Sequence, residues 1–250
     1  MHLQLPQNVK RLAPGEKFSF ACHAEVACFT DCCRDLELAL TPYDVLRLKK
    51  ALKMDSHTFL DRYVILEQEE HETFPRLYLT MVDDGRASCP FVTQAGCTVY
   101  ADRPGACRTY PLGRAVSRQN HGGCTVFYVL LSEPHCCGHH APNAMAFTAE
   151  SWMDDQGLAP YNGANDAVLP LLQHEQVKQG RELTSREKEL FLMALYDLDA
   201  FRDFLQRPDS SGPRPGTPEK FASLIEDDTN LLHFAVRWLE NELFGEKTGT

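Results

Sequence analysis

The sequence carries little positive charge for its size, which argues against one broad class of function. Lys and Arg number 25 and Asp and Glu number 35 in 250 residues, so the formal net charge is -10 at pH 7. A general nucleic-acid binder needs a basic surface that displaces the counterions of the phosphate backbone. We therefore expect no general nucleic-acid binding.

Long apolar runs are also absent. A membrane-spanning helix needs about 20 consecutive apolar residues, and no stretch of the chain approaches that length. The first residues, MHLQLPQNVKRLAPGEKFSF, lack the apolar segment of a secretory signal. We therefore expect no membrane insertion and a cytoplasmic location.

The motifs of several enzyme classes are missing too. The chain has no glycine-rich phosphate loop, no Gly-x-Gly-x-x-Gly and no Ser-His-Asp order of a hydrolase. Carboxylates are plentiful, but no pair is set apart by its spacing. Catalytic residues are therefore unknown from the sequence, and whether the protein is an enzyme stays open.

Cysteine is what the chain has in excess, and it is confined to one part. All ten cysteines lie between Cys22 and Cys137. In a reducing compartment such a set is expected to bind metal, with disulfides and free core thiols as the alternatives. We therefore predict a cysteine-cluster metal-binding domain over residues 1–147 and a helical segment over residues 148–250 that packs on it.

The first four cysteines are closely spaced, and the last two are neighbours. Five residues separate Cys22 from Cys28, and three separate Cys28 from Cys32, which Cys33 follows directly. Zinc ligands are normally two to four residues apart, and neighbouring side chains on an extended backbone point to opposite sides. The pair is therefore expected to bind two metals or two edges of a multi-iron cluster, unless a turn lets both serve one site.

From Cys89 onward the chain resembles a known family. The stretch CPFVTQAGCTVYADRPGACRTYP follows the pattern CPF, then C-x-(I/V)-Y, then RP-x-x-CR-x-YP. With the vicinal pair before it, this resembles the YkgJ-type cysteine-cluster family, a zinc- or iron-chelating domain. The family usually has shorter gaps before the vicinal pair. HCCGHH resembles a downstream family element in which Cys136 is the family position and Cys137 is extra. The resemblance covers about residues 18–165.

The resemblance implies metal binding, by an iron–sulfur cluster that we expect to be 4Fe–4S or by zinc or iron ions. Eight cysteines are the candidate ligands: Cys22, Cys28, Cys32, Cys33, Cys89, Cys97, Cys107 and Cys136. Cys124, Cys137 and His135 are additional candidates. Cys124 and Cys137 could equally be buried thiols. For His135, as for His139 and His140, the alternative is a surface histidine that binds no metal.

Three functions are compatible with this resemblance. The first is an iron–sulfur protein with a redox or modification-linked role, such as an iron–sulfur oxidoreductase. The second is a zinc- or iron-binding structural or interaction module without catalysis. The third is a component of a protein methyl-transfer system, because the flagellin lysine N-methylase has a similar cysteine cluster. Each would involve a protein partner or substrate that the sequence does not identify.

Three further residues are expected beside the metal without binding it. Arg103 and Arg108 adjoin the cysteine loops, where a guanidinium could donate to thiolate sulfurs or to a backbone carbonyl that shapes the Cys107 loop. The competing interpretation is an ion pair that fixes the loop, or a solvated arginine. Tyr110 is expected to pack against the same loop.

The predicted fold class is α+β. We expect an irregular, cysteine-rich, metal-nucleated core with a few short strands, surrounded by helices and followed by a helical C-terminal segment. Strands are predicted at 35–40, 76–82 and 124–131 from their apolar and alternating patterns. Helices are predicted to begin with Thr41, Ser56 and Thr148 as caps, and one long amphipathic helix is predicted over 184–206.

Overall fold

The computed structural model describes residues 6–70, 72–118, 123–207 and 217–245. Within these ranges the strands are β1 (Val9–Arg11), β2 (Phe18–Phe20), β3 (Val64–Glu67), β4 (Arg76–Leu79), β5 (Val92–Thr93), β6 (Gly96–Cys97), β7 (Leu112–Arg118), β8 (Cys124–Leu131) and β9 (Met145–Phe147). The helices are α1 (Pro42–Ala51), α2 (Ser56–Tyr63), α3 (Gly105–Thr109), α4 (Ala149–Asp155), α5 (Ala159–Leu172), α6 (Glu175–Lys178), α7 (Ser185–Leu195), α8 (Leu198–Gln206), α9 (Pro218–Glu226) and α10 (Asp228–Phe244). The protein is therefore α+β, as the sequence predicts. No helix within these ranges has both the length and the apolar character needed to cross a lipid bilayer.

Two helices begin where local sequence signals predict. At α1 the Thr41 side chain accepts the Asp44 backbone N–H, and the Asp44 carboxylate accepts the Thr41 N–H. Thr148 and Ser151 make the same reciprocal arrangement at α4. Such capping boxes satisfy helix donors that would otherwise lack partners. The start of both helices is therefore encoded within four residues of chain.

Other local predictions are wrong. The stretch 35–40 forms no strand and pairs only through an isolated bridge at Ala39. Helix α2 is capped by Asp55, whose carboxylate accepts the Thr58 N–H, rather than by Ser56. Ser56 is fully buried and is used in a side-chain network described below. A tertiary contact has therefore taken the residue that local preference assigns to the cap.

The predicted helix over 184–206 is two helices. The chain leaves the helical conformation at Asp197, and the Asp197 carboxylate caps α8 by accepting the Ala200 N–H at 3.3 Å. The apolar periodicity of the sequence does not show this break, because both helices bury residues in the same core and the pattern continues from one to the other.

Residue contacts divide the chain into two compact units. The first, called the cysteine unit, comprises Met1–Leu38 and Thr80–Asn162; the second, called the helical unit, comprises Ala39–Leu79 and Gly163–Thr250. All ten cysteines lie in the cysteine unit. The sequence-based division into residues 1–147 and 148–250 uses other bounds and stays a prediction.

Short antiparallel strands form the frame of the cysteine unit. β8 lies between β1 and β7, while β2 pairs with β9 and β5 with β6. The β2–β9 register places Phe18 opposite Phe147. The Trp152 ring of α4 lies 6.0 Å and 4.9 Å from these two rings, centroid to centroid. This aromatic cluster anchors β2, from which the chain enters the first cysteine loop.

The helical unit combines an apolar core with a buried charge. Phe201 and Leu231 are fully buried on α8 and α10. Lys49 of α1 is only 5% exposed. Its Nζ lies 2.8 Å from the nearer Asp199 oxygen and 3.4 Å from the nearer Asp228 oxygen. Burying an ammonium group requires such partners.

Candidate metal centre

The vicinal pair lies in a short 3-10 turn. The turn spans Asp31–Cys33 and follows Thr30, whose φ is 68°. A positive φ is rare for a β-branched residue and is typical of backbone held in place by surrounding contacts. The extended backbone assumed from the sequence is therefore wrong at this position. The sulfurs of Cys32 and Cys33 interact with each other instead of pointing apart.

The two thiols of the pair have opposite pKa shifts. The hydrogen bond from Cys33 is the main reason that the pKa of Cys32 is lowered to about 7, and the charge of His135 acts in the same direction against burial. The same hydrogen bond raises the pKa of Cys33. Cys32 is therefore the member of the pair that more readily provides a thiolate, the form that binds metal.

Backbone hydrogen bonds join the pair to Cys89. The Cys89 N–H donates to the Cys33 carbonyl oxygen at 2.8 Å, and the Asp35 N–H donates to the Ala87 carbonyl oxygen at 3.0 Å. Asp35 and Ala87 both have positive φ, 50° and 45°. Two chain segments more than fifty residues apart are thus bonded side by side at their cysteines.

The β5–β6 hairpin brings Cys97 to the same place. Val92 pairs with Cys97, and its N–H donates to the Cys89 carbonyl oxygen at 3.1 Å. Gly96 has a φ of 114°, and a Cβ added there would lie 3.1 Å from the Phe29 ring. The hairpin therefore packs directly on the loop that precedes the vicinal pair.

Charge interactions connect thiols of a first group, which comprises Cys33, Cys89, Cys97 and Cys107. Burial raises the pKa of Cys89, against a hydrogen bond from the Phe91 N–H, and the charge of Cys97 raises it further. The charges of Cys89 and Cys107 contribute to the raised pKa of Cys33, after its hydrogen bond to the vicinal thiol and burial. The pKa values of Cys33 and Cys89 thus respond to the charges of other cysteines of the group.

A second group forms around Cys28 and the later pair. The Ala21 N–H donates to the Gly138 carbonyl oxygen at 3.0 Å. The Cys137 N–H donates to Cys28 Sγ at 3.1 Å. A Cβ added at Gly138 would lie 2.7 Å from the Ala21 carbonyl oxygen, so the close approach of the two loops requires glycine.

Cys22 and Cys136 complete the second group. Although Cys22 is partly exposed, desolvation by neighbouring atoms and then the charge of Cys32 raise its pKa to about 11. Cys28 and Cys136 act on Cys22 in the same direction. Burial raises the pKa of Cys136, and the charge of Cys28 adds to it. The second group thus comprises Cys22, Cys28, Cys136 and Cys137, whose chain segments are hydrogen-bonded to each other.

Arg103 lies near sulfurs of both groups. Its charge opposes the desolvation that raises the pKa values of Cys22 and Cys97. The guanidinium carbon lies 4.1 Å from the centroid of the Tyr100 ring, and Nη2 donates to Gln156. Its Nε is buried and has no hydrogen-bond partner within the described ranges. Arg103 is thus positioned to offset thiolate charge.

Tyr110 contacts the second group. Its ring lies 5.8 Å from the Phe20 ring, centroid to centroid. Its buried hydroxyl makes no regular hydrogen bond to nitrogen or oxygen among the described residues, yet it interacts with the Cys136 sulfur. Burial, followed by this interaction and the charge of Glu133, raises the pKa of Tyr110. The predicted packing role is accompanied by a contact to a candidate ligand.

Arg108 holds the backbone around the Cys107 loop. Its Nε donates to the Arg103 carbonyl oxygen at 3.2 Å and its Nη1 to the Gln156 carbonyl oxygen at 2.8 Å. Its Nη2 donates to the Ala101 carbonyl oxygen. Among the roles that the sequence suggested for Arg108, the structure shows the one in which its guanidinium donates to backbone carbonyls.

We predict that Arg108→Ala weakens metal retention and lowers the free energy of unfolding by about 2 kcal/mol, since hydrogen bonds from a charged donor are lost. Arg108→Lys should restore only part of the effect, because lysine lacks the planar fork that reaches several carbonyls. Metal retention in a chelator titration and thermal unfolding would measure both. Exposed Arg86→Ala is the control, and equal behaviour of all the variants would show that Arg108 has no such role.

Other predicted residues lie apart or have structural roles. Cys124 lies opposite Arg118 at the end of the β7–β8 hairpin and is exposed. Its thiol is free. His139 bonds the Leu131 carbonyl oxygen at 2.9 Å, and His140 is exposed. His135 lies 3.5 Å from Glu133 and close enough to the vicinal pair to affect its titration.

Sequence reasoning missed three residues of the site. Arg34 donates to the Thr30 carbonyl oxygen at 2.8 Å and so closes the turn of the vicinal pair. The Glu133 carbonyl oxygen accepts the Cys136 N–H at 3.0 Å, and Gly138 permits the loop contact described above. The one feature of the sequence that could have indicated these three residues is that each lies close to a cysteine. Their roles depend on contacts between distant segments.

The residues present suit a metal by their chemistry. Thiolates are the ligands that zinc and iron–sulfur clusters prefer. The eight candidate cysteines all lie in the cysteine unit, two of them in the 3-10 turn, one in β6, one in α3 and the others in irregular segments. Within the described ranges, no three Cys, His, Asp or Glu side chains enclose a position ready to hold an ion.

Comparison with known families agrees with this donor set. The family model CxxCxxCC, described as "Putative zinc- or iron-chelating domain", matches residues 21–152. The match covers more than half of the chain, and the chain belongs to this family. Metal binding is the function that this membership supports. No curated protein and no solved structure shows a significant match.

Proposed function

We propose that the protein is an iron–sulfur protein whose cluster serves a redox or modification-linked step on a protein partner or substrate. One observation carries the proposal: all eight candidate cysteines lie in the cysteine unit, where backbone hydrogen bonds join the segment of Cys33 to Cys89 and the segment of Cys22 to that of Cys136 and Cys137. A single tetrahedral zinc uses four ligands. A set twice that size suits a multi-iron centre better than one zinc ion.

The surroundings of the sulfurs support the same proposal. The backbone N–H groups of Phe91 and Val99 favour the thiolates of Cys89 and Cys97, against the burial that raises the pKa of both thiols. Hydrogen bonds to ligand sulfurs and burial are the main means by which a protein sets cluster potential. A bound cluster would supply one-electron chemistry, for which these N–H groups stabilise the thiolates.

The eight candidate cysteines would hold this centre, with Arg103 offsetting part of their charge. All ten cysteines are free thiols in the structure. Free thiols persist in reducing surroundings, so we also propose a cytoplasmic setting.

A second candidate function is a zinc- or iron-binding module that presents an interaction surface without catalysis. The short strands and irregular loops of the cysteine unit favour it, because metal is a common substitute for an extensive core. The methyl-transfer alternative would need a nucleotide-type pocket, and no observation on the described residues favours it.

Anaerobic purification followed by iron, zinc and acid-labile sulfide analysis tests the proposal. We expect a brown protein with broad visible absorption and with iron and sulfide in similar amounts. Cys124→Ser is the matched control, since Cys124 lies outside both groups, and it should keep the colour. A colourless protein that holds zinc without sulfide would reject the iron–sulfur proposal and favour the structural module.

A further inference from the structure

We infer that the outer edge of strand β3 is a docking site for an extended, basic segment of a protein partner, which adds to the β3–β4 sheet as a third strand. The edge belongs to the helical unit, whereas all ten cysteines lie in the cysteine unit. The inference therefore goes beyond the proposed function, because it gives the chemistry of a partner and requires no metal.

Strand β4 is flanked on both sides, whereas β3 has one open edge. β4 pairs with β3 along its whole length. On the other side of β4, the Leu40 N–H donates to the Leu77 carbonyl oxygen at 2.7 Å, and Ala39 forms an isolated bridge with Tyr78. Within the described ranges β3 pairs with no strand other than β4. The far edge of β3 is therefore open to another strand.

The register shows which backbone groups this edge presents. Opposite residues of an antiparallel pair alternate between hydrogen-bonded and non-hydrogen-bonded positions. The Leu77 carbonyl points away from β3, because it accepts the Leu40 N–H, so Leu77 and the opposite Leu66 form a non-hydrogen-bonded position. The Val64 N–H, two residues before Leu66, agrees with this register, since it donates to the Leu60 carbonyl oxygen instead of to β4. The N–H and C=O of Leu66 thus face outward, as strand addition requires.

Apolar side chains lie on both faces of the open edge. Leu66 shares a face with Leu77, but Leu66 is 52% exposed and Leu77 only 2%. Ile65 lies on the opposite face and is 46% exposed. The core beneath β4 thus ends in an uncovered leucine at β3. An added strand would cover both side chains and bond the outward backbone groups.

Charge determines which partner this edge favours. Four glutamates lie in β3 or shortly after it, Glu67, Glu69, Glu70 and Glu72, and the first three are exposed. The nearby cation is Arg76, which forms an ion pair with Glu72. Negative side chains on an edge strand oppose its pairing with a second copy of itself and attract lysine and arginine. The favoured occupant therefore alternates basic and apolar residues.

The size of the edge sets the kind of binding. β3 has four residues, so an added strand buries far less surface than a permanent interface does. Such small contacts are typical of transient complexes. A partner or substrate that must be released would suit this edge.

Peptide titration of the full chain, as purified, tests the docking site. The probe is a short fluorescein-labelled peptide of alternating lysine and valine, and fluorescence anisotropy measures its binding. A lysine–glycine peptide of equal charge should bind about tenfold more weakly, since it lacks the apolar side chains and the strand preference. A glutamate–valine peptide should not bind. Hydrogen exchange should show that residues 64–67 gain protection with the lysine–valine peptide. Equal binding of the two lysine peptides, or no gain at 64–67, would overturn the inference.

Variants of Leu66 separate the backbone contribution from the side-chain contribution. Leu66→Pro removes the outward N–H but no bond to β4, because proline is compatible with an edge position of this kind. It should weaken binding of the lysine–valine peptide about tenfold. Leu66→Ala keeps the N–H and should weaken binding less than Leu66→Pro does. Equal affinity of Leu66→Pro and the parent would show that the edge is not used.

Neutralisation of the acidic side chains tests the charge preference. The triple variant Glu67→Gln/Glu69→Gln/Glu70→Gln should weaken binding of the lysine–valine peptide about fivefold and remove most of its salt dependence. The matched control removes the same charge at exposed positions elsewhere in the helical unit: Glu189→Gln/Glu226→Gln/Glu242→Gln. The control should bind as the parent does. An equal loss in both triple variants would reduce the effect to net charge and overturn the preference.

Two further measurements identify other occupants and keep this inference distinct from the proposed function. Sedimentation of the parent without peptide should show a monomer; a dimer that dissociates in Leu66→Pro would assign the edge to a second copy and overturn the inference. Metal and sulfide content should be the same in every variant. A protein that binds the peptide but contains no metal would contradict the proposed function and leave the docking site in place.

Discussion

Removal of the metal is expected to unfold the cysteine unit and to leave the helical unit folded. Metal binding contributes on the order of 10–16 kcal/mol to the folding of small thiolate sites, which is comparable with the whole stability of a domain. The frame of the cysteine unit consists mainly of two- and three-residue strands, with β7 and β8 as the longer exceptions.

The two tryptophans allow each unit to be followed by itself. Trp152 lies in the cysteine unit and Trp238 in the helical unit, and these are the chain's two tryptophans. In a Trp238→Phe variant, chelation should shift Trp152 emission to longer wavelength. In a Trp152→Phe variant, Trp238 emission should change little. Hydrogen exchange by mass spectrometry should show protection lost in the cysteine loops and kept in α7 and α10.

Ligand variants provide the matched comparison. Cys107→Ser should resemble the chelated protein, whereas Cys124→Ser should resemble the parent, because Cys124 lies outside both cysteine groups. Equal melting temperatures and equal protection with and without metal would contradict a structural role for the metal.

The second large effect is expected in the helical unit, where Asp199→Ala should lower the free energy of unfolding by about 3 kcal/mol. Asp199 accepts hydrogen bonds from Lys49 Nζ at 2.8 Å and from the Ser56 N–H at 2.7 Å. Among the described residues, the substitution leaves Asp228, at 3.4 Å, as the remaining ion-pair partner of the buried Lys49 ammonium. Urea unfolding followed by Trp238 emission would measure the loss.

The stabilisation from Asp199 should also depend on pH. Burial alone would raise its pKa, but the hydrogen bonds from Lys49 and Ser56 outweigh burial, so its pKa lies well below the ordinary 3.8. A carboxyl group with a lowered pKa stabilises the fold above its unfolded pKa, and the contribution is lost as the pH falls through the folded value. The difference between parent and Asp199→Ala should therefore be full at pH 7 and shrink below about pH 4.

Exposed neighbours supply the controls for this network. Asp203 lies on the same helix as Asp199, and Lys50 follows Lys49 in α1; both side chains are exposed. The control variants are Asp203→Ala and Lys50→Met. Each should change stability by less than about 0.5 kcal/mol. A similar loss in Asp199→Ala and Asp203→Ala would show that the buried network contributes nothing specific.

Local chemistry let the sequence determine the kind of site and some of the elements around it. The capping boxes at Thr41 and Thr148 and the strand β8 needed only a few neighbouring residues, so they were predictable. The cysteine-rich stretch from Cys89 to Cys107 indicated the family, which its model match confirms. Donor type and composition are properties of the chain itself, and they sufficed for the conclusion that the protein binds metal.

Only the tertiary structure decided how these parts are arranged. The 3-10 turn after Thr30 brings the vicinal thiols together, because contacts from distant segments hold a positive φ that local preference disfavours. Because Ser56 is buried, Asp55 caps α2 in its place. Arg108 donates to three backbone carbonyls, and no sequence pattern shows that these carbonyls lie close together. The grouping of the cysteines depends on backbone bonds between segments up to 117 residues apart, from Ala21 to Gly138. Sequence patterns report nearby chain, whereas such bonds form only once the whole fold has brought the segments together.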